Sequence, residues 1–110
     1  MKLDVARRLA LALPEAAEQD HHDIGSFRVR GKIFATVPDQ HHLRIMVDED
    51  EIRAAVAANP GVCEEVYWGK RLSCVAVDLR RASKALVSEL LTDAWMRRAP
   101  ARLIDALSDR

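Results

Sequence analysis

Seven residues have the types and spacing to hold an anionic polymer: Arg28, Arg30, Lys32, Phe34, Arg44, Lys70 and Arg71. They gather around two Gly-Lys turns, Arg30-Gly31-Lys32 and Trp68-Gly69-Lys70-Arg71, each set between stretches that read as β-strands. Such turns close hairpins, and here each hairpin carries a cationic tip. Single-stranded nucleic acid uses this combination: arginines meet phosphates while an aromatic face stacks a base at roughly 1–3 kcal/mol. Double-stranded DNA would instead receive Lys32 and Lys70 beside its backbone.

The register of the first hairpin decides what its outer face offers. A two-residue turn at Gly31-Lys32 puts Phe27, Val29 and Phe34 on one face. A three-residue loop from Arg30 to Lys32 groups Phe27, Val29, Ile33, Ala35 and Val37 as the apolar face and sets Arg28 opposite Phe34. The second is preferred, with His42, Arg44 and Met46 joining the outer face if Leu43, Ile45 and Val47 are buried. A plainer reading weighs more on sequence alone: an antiparallel sheet leaves one face solvated, and arginines there keep it wet. The formal net charge is zero, and the acids between Glu15 and Asp23 could neutralise a local patch.

Other reactive residue types point to no defined chemistry. His21-His22 and His41-His42 are imidazole pairs, but adjacent strand residues face opposite ways, so each pair gives at most one ligand to a site. Asp48 to Glu51 reads as a helix start, with acids complementing the dipole. Glu64 and Glu65 point to opposite faces and form no acid–base dyad. Cys63 and Cys74 are the two cysteines; with a two-residue turn at Gly69-Lys70, Cys74 lies opposite Glu65, which disfavours a disulfide to Cys63. Tyr67, Trp68 and Trp95 are amphipathic and suit core or rim packing, with Trp68 able to join a binding edge. No phosphate-cradling loop or dinucleotide fingerprint occurs, and no cofactor or metal is expected.

The elements that must position these residues follow from periodicity. Apolar residues from Lys2 to Leu13 recur at helical spacing until Pro14. Glu15 to Ser26 reads as a connection, with at most a short irregular strand. Phe27–Arg30, Ile33–Val37 and the alternating segment Leu43–Val47 form a three-stranded meander. Asp48 caps a helix that ends at Asn59-Pro60-Gly61, and Val62–Trp68 with Leu72–Leu79 forms the second hairpin. Ser83 starts a long helix with an apolar stripe from Leu86 to Trp95, in which Arg97 and Arg98 suit the C-terminal dipole. Pro100 interrupts before a short terminal helix.

A chain of 110 residues, 49% hydrophobic and 31% charged, fits one soluble domain over residues 1–110. The first residues lack an apolar leader, and no apolar run is longer than Leu9 to Leu13, which cannot span a bilayer, so a cytoplasmic location and no membrane partner are expected.

The chain resembles the MmcQ/YjbR family, small bacterial proteins described as predicted DNA-binding proteins with a double-wing motif. The resemblance rests on Leu11-Ala12-Leu13-Pro14 before an acidic stretch, Phe27 to Ala35, Val66 to Arg71 and Val77-Asp78-Leu79. The family pattern carries a lysine near Met46 and a tryptophan near Cys74, where this chain departs from it. The resemblance implies a two-layer α+β fold with an antiparallel sheet in the order α-β3-α-β2-α, here with a short extra C-terminal helix. The expected function is non-enzymatic binding, of DNA through the cationic hairpins and sheet face. The alternative is a protein–protein adaptor without nucleic-acid affinity, resting on neutral charge, Tyr67, Trp68 and the apolar segment around Ile104.

Overall fold

The computed structural model describes residues 1–21 and 24–108. The described elements are α1 (Leu3–Leu11), β1 (Ala16–His21), β2 (Ile24–Val29), β3 (Lys32–Asp39), β4 (His42–Ile45), α2 (Glu49–Ala58), β5 (Cys63–Trp68), β6 (Arg71–Asp78), α3 (Lys84–Arg98) and α4 (Ala101–Ser108). The strands form one antiparallel sheet ordered β1-β2-β3-β4-β6-β5, so the α+β class read from the sequence is the observed one. Four strands precede α2 where the sequence pointed to three. Ala16 to His21 pairs residue for residue with Val29 back to Ile24. β1 is an edge strand whose Ala17, Glu18, Gln19 and Asp20 are exposed, so it lacks the apolar alternation that marks a strand with a buried face.

The helices cover one face of the sheet. Val87, Leu90, Leu91, Ala94 and Trp95 of α3 are buried in the same cluster as Phe27, Val29, Leu43, Ile45, Val75 and Val77. The Trp95 indole N–H donates to the carbonyl of Pro14 at 3.0 Å, tying α3 to the corner between α1 and β1. Both expected caps form: the Asp48 carboxylate accepts from Glu51 N at 2.8 Å, and Ser83 Oγ accepts from Leu86 N at 3.1 Å. Each satisfies a donor that the first helical turn would leave open.

Asp48 to Glu51 is thus a helix start, and Glu51 lies near two acids of α3, Glu89 and Asp93. Partial burial, then the carboxyl of Asp93 on α3, then the charges of Asp48 and Glu89, push the Glu51 carboxyl up to about 8. Between about pH 4.5 and 8 the unfolded chain releases this proton while the folded chain keeps it. Folding stability therefore falls as pH rises through that window. Glu51→Gln removes the titration. The variant will gain about 1 kcal/mol over the parent between pH 5 and 8, a figure discounted because Glu51 is only partly buried. Urea midpoints at the two pH values check it.

The first hairpin adopts neither register considered above. Its turn is Arg30-Gly31, with both residues at positive φ, 52° and 78°, the turn geometry that matches the twist of paired strands. Val29 pairs with Lys32 and Arg28 with Ile33, but Phe27 pairs with Ala35, so Phe34 is the extra residue of a β-bulge. The bulge exchanges the expected faces of Ile33 and Phe34. Ile33 stands beside Arg28 on the open face, while Phe34 is fully buried with its ring 6.5 Å from that of Phe27. Burying the larger aromatic withdraws more apolar surface from water.

The second hairpin has the two-residue turn at Gly69-Lys70, with Trp68 paired to Arg71. A register shift at Val66/Tyr67 places Cys74 opposite Val66 rather than Glu65. Cys63 and Cys74 are free and buried; Cys63 belongs to the helix-side core and Cys74 does not.

Candidate functional site

The sheet face away from the helices holds a cavity of about 650 Å³, lined by Ile24, Arg28, Gly31, Ile33, Thr36, Arg44, Met46, Trp68, Arg71, Ser73, Arg97 and Arg98. Its floor comes from adjacent strands, because Arg28 pairs with Ile33 and Thr36 with Arg44 across β2, β3 and β4, and cross-strand partners share a face. The two hairpins supply the sides, Gly31 from one turn and Trp68 with Arg71 from the other.

The far rim comes from α3. This helix leaves the end of β6 and runs back along the sheet, and its 15 residues cover about 22 Å. That nearly matches the roughly 26 Å of an eight-residue strand such as β6, so Arg97 and Arg98 arrive at the hairpin end. Both guanidiniums cross to the strands: Arg97 Nη1 donates to the Met46 carbonyl at 2.6 Å and Arg98 Nε to the Ile33 carbonyl at 3.2 Å. Arg28 Nε donates to Ser26 Oγ at 3.2 Å, and Ser26 in turn donates to the Gln19 carbonyl at 2.7 Å. Each tethered arginine keeps further N–H donors for a ligand.

The charge around this cavity is one-sided. Among the described residues, five arginines line it and no carboxylate does. Among the described residues none of the five is ion-paired, whereas Arg7, Arg30, Arg53 and Arg80 pair with acids elsewhere. A formal net charge of zero thus conceals a segregated distribution. Glu15 and Glu18, which sequence reasoning set against the patch, are engaged with Arg30 at 2.7 Å and Arg7 at 2.9 Å.

Of the seven residues singled out, Arg28, Arg44 and Arg71 come together here. Arg30 is turned to Glu15, whose carboxyl it holds below the usual range through their hydrogen bond. Lys32 is exposed at one hairpin and shares a shallow groove of about 350 Å³ with Arg30, Arg97, Arg98, Ala99 and Pro100. Lys70 is exposed at the other turn. Phe34, expected outside, is in the core and cannot stack on a ligand. Sequence reasoning assigned Arg97 and Arg98 only to the helix dipole. The signal for their role was topological: a helix that returns along β6 must end beside the hairpins.

The remaining candidates are accounted for locally. His42 Nδ1 lies 2.9 Å from Asp39 Oδ1, and the backbone N–H of His41 donates to the same oxygen at 2.7 Å. His22 and Asp23 lie outside the described residues. Among the described residues no three His, Cys, Asp or Glu side chains converge as a metal site. Burial pushes both thiols up, Cys74 despite the nearby Arg44 charge, which disfavours the thiolate a nucleophile requires. No helix among the described residues is long and apolar enough to cross a membrane.

A protein-family model described as YjbR matches residues 11–97, a span that contains every lining residue of the cavity except Arg98. No match is found among curated proteins or among solved structures.

Proposed function

We propose that this chain, which belongs to the YjbR family, is a non-enzymatic binding protein for nucleic acid, with DNA as its partner. The observation that carries the reading is the cavity lined by five arginines without an acid partner among the described residues, between two hairpins whose tips bear Lys32 and Lys70. Unpaired like charges gathered on one face repel one another. An ordinary solvated face relieves that repulsion with interspersed carboxylates, as this protein does at Arg7, Arg30, Arg53 and Arg80. A polyanion would relieve it from outside. Arginine suits phosphate because its planar fork donates two parallel hydrogen bonds, and the hairpins act as wings on either side of the arginine floor.

Titration of single- and double-stranded DNA at several salt concentrations tests the reading. Phosphate contacts release counterions, so the logarithm of affinity will fall linearly with the logarithm of salt, by about 0.7–0.9 for each phosphate engaged. Absence of binding to both forms at low salt would refute it. In that event Tyr67 and Trp68, 52% and 55% exposed on the outer edge strand β5, favour the adaptor reading, which a pull-down would take up.

A further inference from the structure

Resting on that reading, we infer that the ligand is a single strand, and that one of its bases enters the cavity and packs against Trp68 while its phosphates lie on the surrounding guanidiniums. The motivating feature is the mixed chemistry of the lining. A surface built only for phosphate needs cations and nothing else, yet Ile24, Ile33, Met46 and Trp68 share this cavity with the five arginines. Its volume, about 650 Å³, lies within the roughly 300–1,000 Å³ of small-ligand sites. Trp68 is more than half exposed although it lines this space, so an aromatic face is available at no cost in core packing.

The tethering of the arginines selects between strand forms. Arg97 and Arg98 are held to strand carbonyls and Arg28 to Ser26, so three of the five guanidiniums are fixed at the cavity rather than free to reach out. A duplex presents phosphates on a convex surface and keeps its bases stacked inside. It can meet the exposed Lys32 and Lys70 but cannot fill an apolar recess. An unpaired nucleotide satisfies both parts of the lining, because every base has a π-face for an aromatic side chain and a phosphate within reach of the arginines.

The probes are a short oligothymidylate, the oligouridylate of equal length, an abasic deoxyribose-phosphate oligomer of equal length and a duplex. The chain has two tryptophans, and Trp95 is fully buried, so quenching on binding reports Trp68. The inference expects thymidylate or uridylate to bind at least about tenfold more tightly than the abasic oligomer, with quenching. The two base-bearing arms separate a DNA from an RNA source. Trp68→Ala should reduce the base-bearing affinity toward the abasic level, and Trp68→Phe should restore most of it. Equal affinity for abasic and base-bearing strands, or duplex binding as tight as single-strand binding, would overturn the inference while leaving phosphate binding intact. So would a Trp68→Ala variant that weakens all strands equally. Failure of every charged oligomer to bind would instead remove the nucleic-acid reading itself.

Discussion

Phe34→Ala will lower the folding free energy by about 3–5 kcal/mol, a large part of the 5–15 kcal/mol typical of a native protein. The thermal midpoint should drop by roughly 12 °C or more. Phe34 has no exposed surface and packs against Phe27 from the bulge of β3. Truncation leaves a cavity that the sheet and α3 can only partly close, because the backbone at this point is held from both sides: Met46 N donates to the Phe34 carbonyl at 3.0 Å, and Arg98 Nε to the carbonyl of Ile33 at 3.2 Å. The alternative geometry, with Phe34 on the open face, makes a different forecast. There the substitution would change stability by less than about 0.5 kcal/mol and weaken ligand stacking directly. Urea or thermal melts of the variant decide between the two, and a stability change below that level would refute the bulged register.

Simultaneous replacement of Arg28, Arg44 and Arg71 by alanine will weaken binding of single-stranded DNA by about a hundredfold at low salt. This takes each lost guanidinium–phosphate contact as about 1 kcal/mol net of hydration. The salt slope should shrink by about 2, at roughly 0.7 for each phosphate released from a single strand. Stability should not fall. These side chains have no carboxylate partner among the described residues, and removing three of five like charges relieves their repulsion, the usual sign of a surface kept for binding at some expense to folding. Arg30→Ala serves as the control. Arg30 is a cation at the same hairpin, but it is paired with Glu15 on an exposed surface, so its loss should leave stability and binding little changed. Salt-dependent titrations and melts of both variants check the forecast. If the triple variant binds DNA as the parent does, the arginines only solvate the sheet.

Much of the architecture was legible in the chain. Pro14, the Asp48 and Ser83 caps, the Gly69-Lys70 turn and the apolar stripe of α3 each act through neighbours in sequence, and each appears where local chemistry places it. The strand β1 was harder to read, because an edge strand with exposed side chains carries no alternation; its pairing energy comes from a partner whose position is a tertiary fact. The same holds for Cys74, displaced by one position through the shift at Val66/Tyr67.

Arg28, Arg44 and Arg71 could be anticipated as one cationic set from strand alternation and hairpin position, since period-two geometry fixes which residues share a face. Four matters lay beyond local rules. The bulge at Phe34 arises because burying an aromatic against Phe27 outweighs regular pairing, and it reverses the faces of Ile33 and Phe34. Arg97 and Arg98 reach the cavity only because α3 and β6 have nearly equal lengths and opposite directions. Trp68 meets the same space only because β5 and β6 close beside β4. Neutral composition gave no hint of charge separation, because a count of charges carries no geometry. Sequence determined the helices, their caps and the strands other than β1, which depend on nearest neighbours. Tertiary structure decided which side chains share the arginine-lined cavity, because that depends on how distant segments balance apolar burial against strand register.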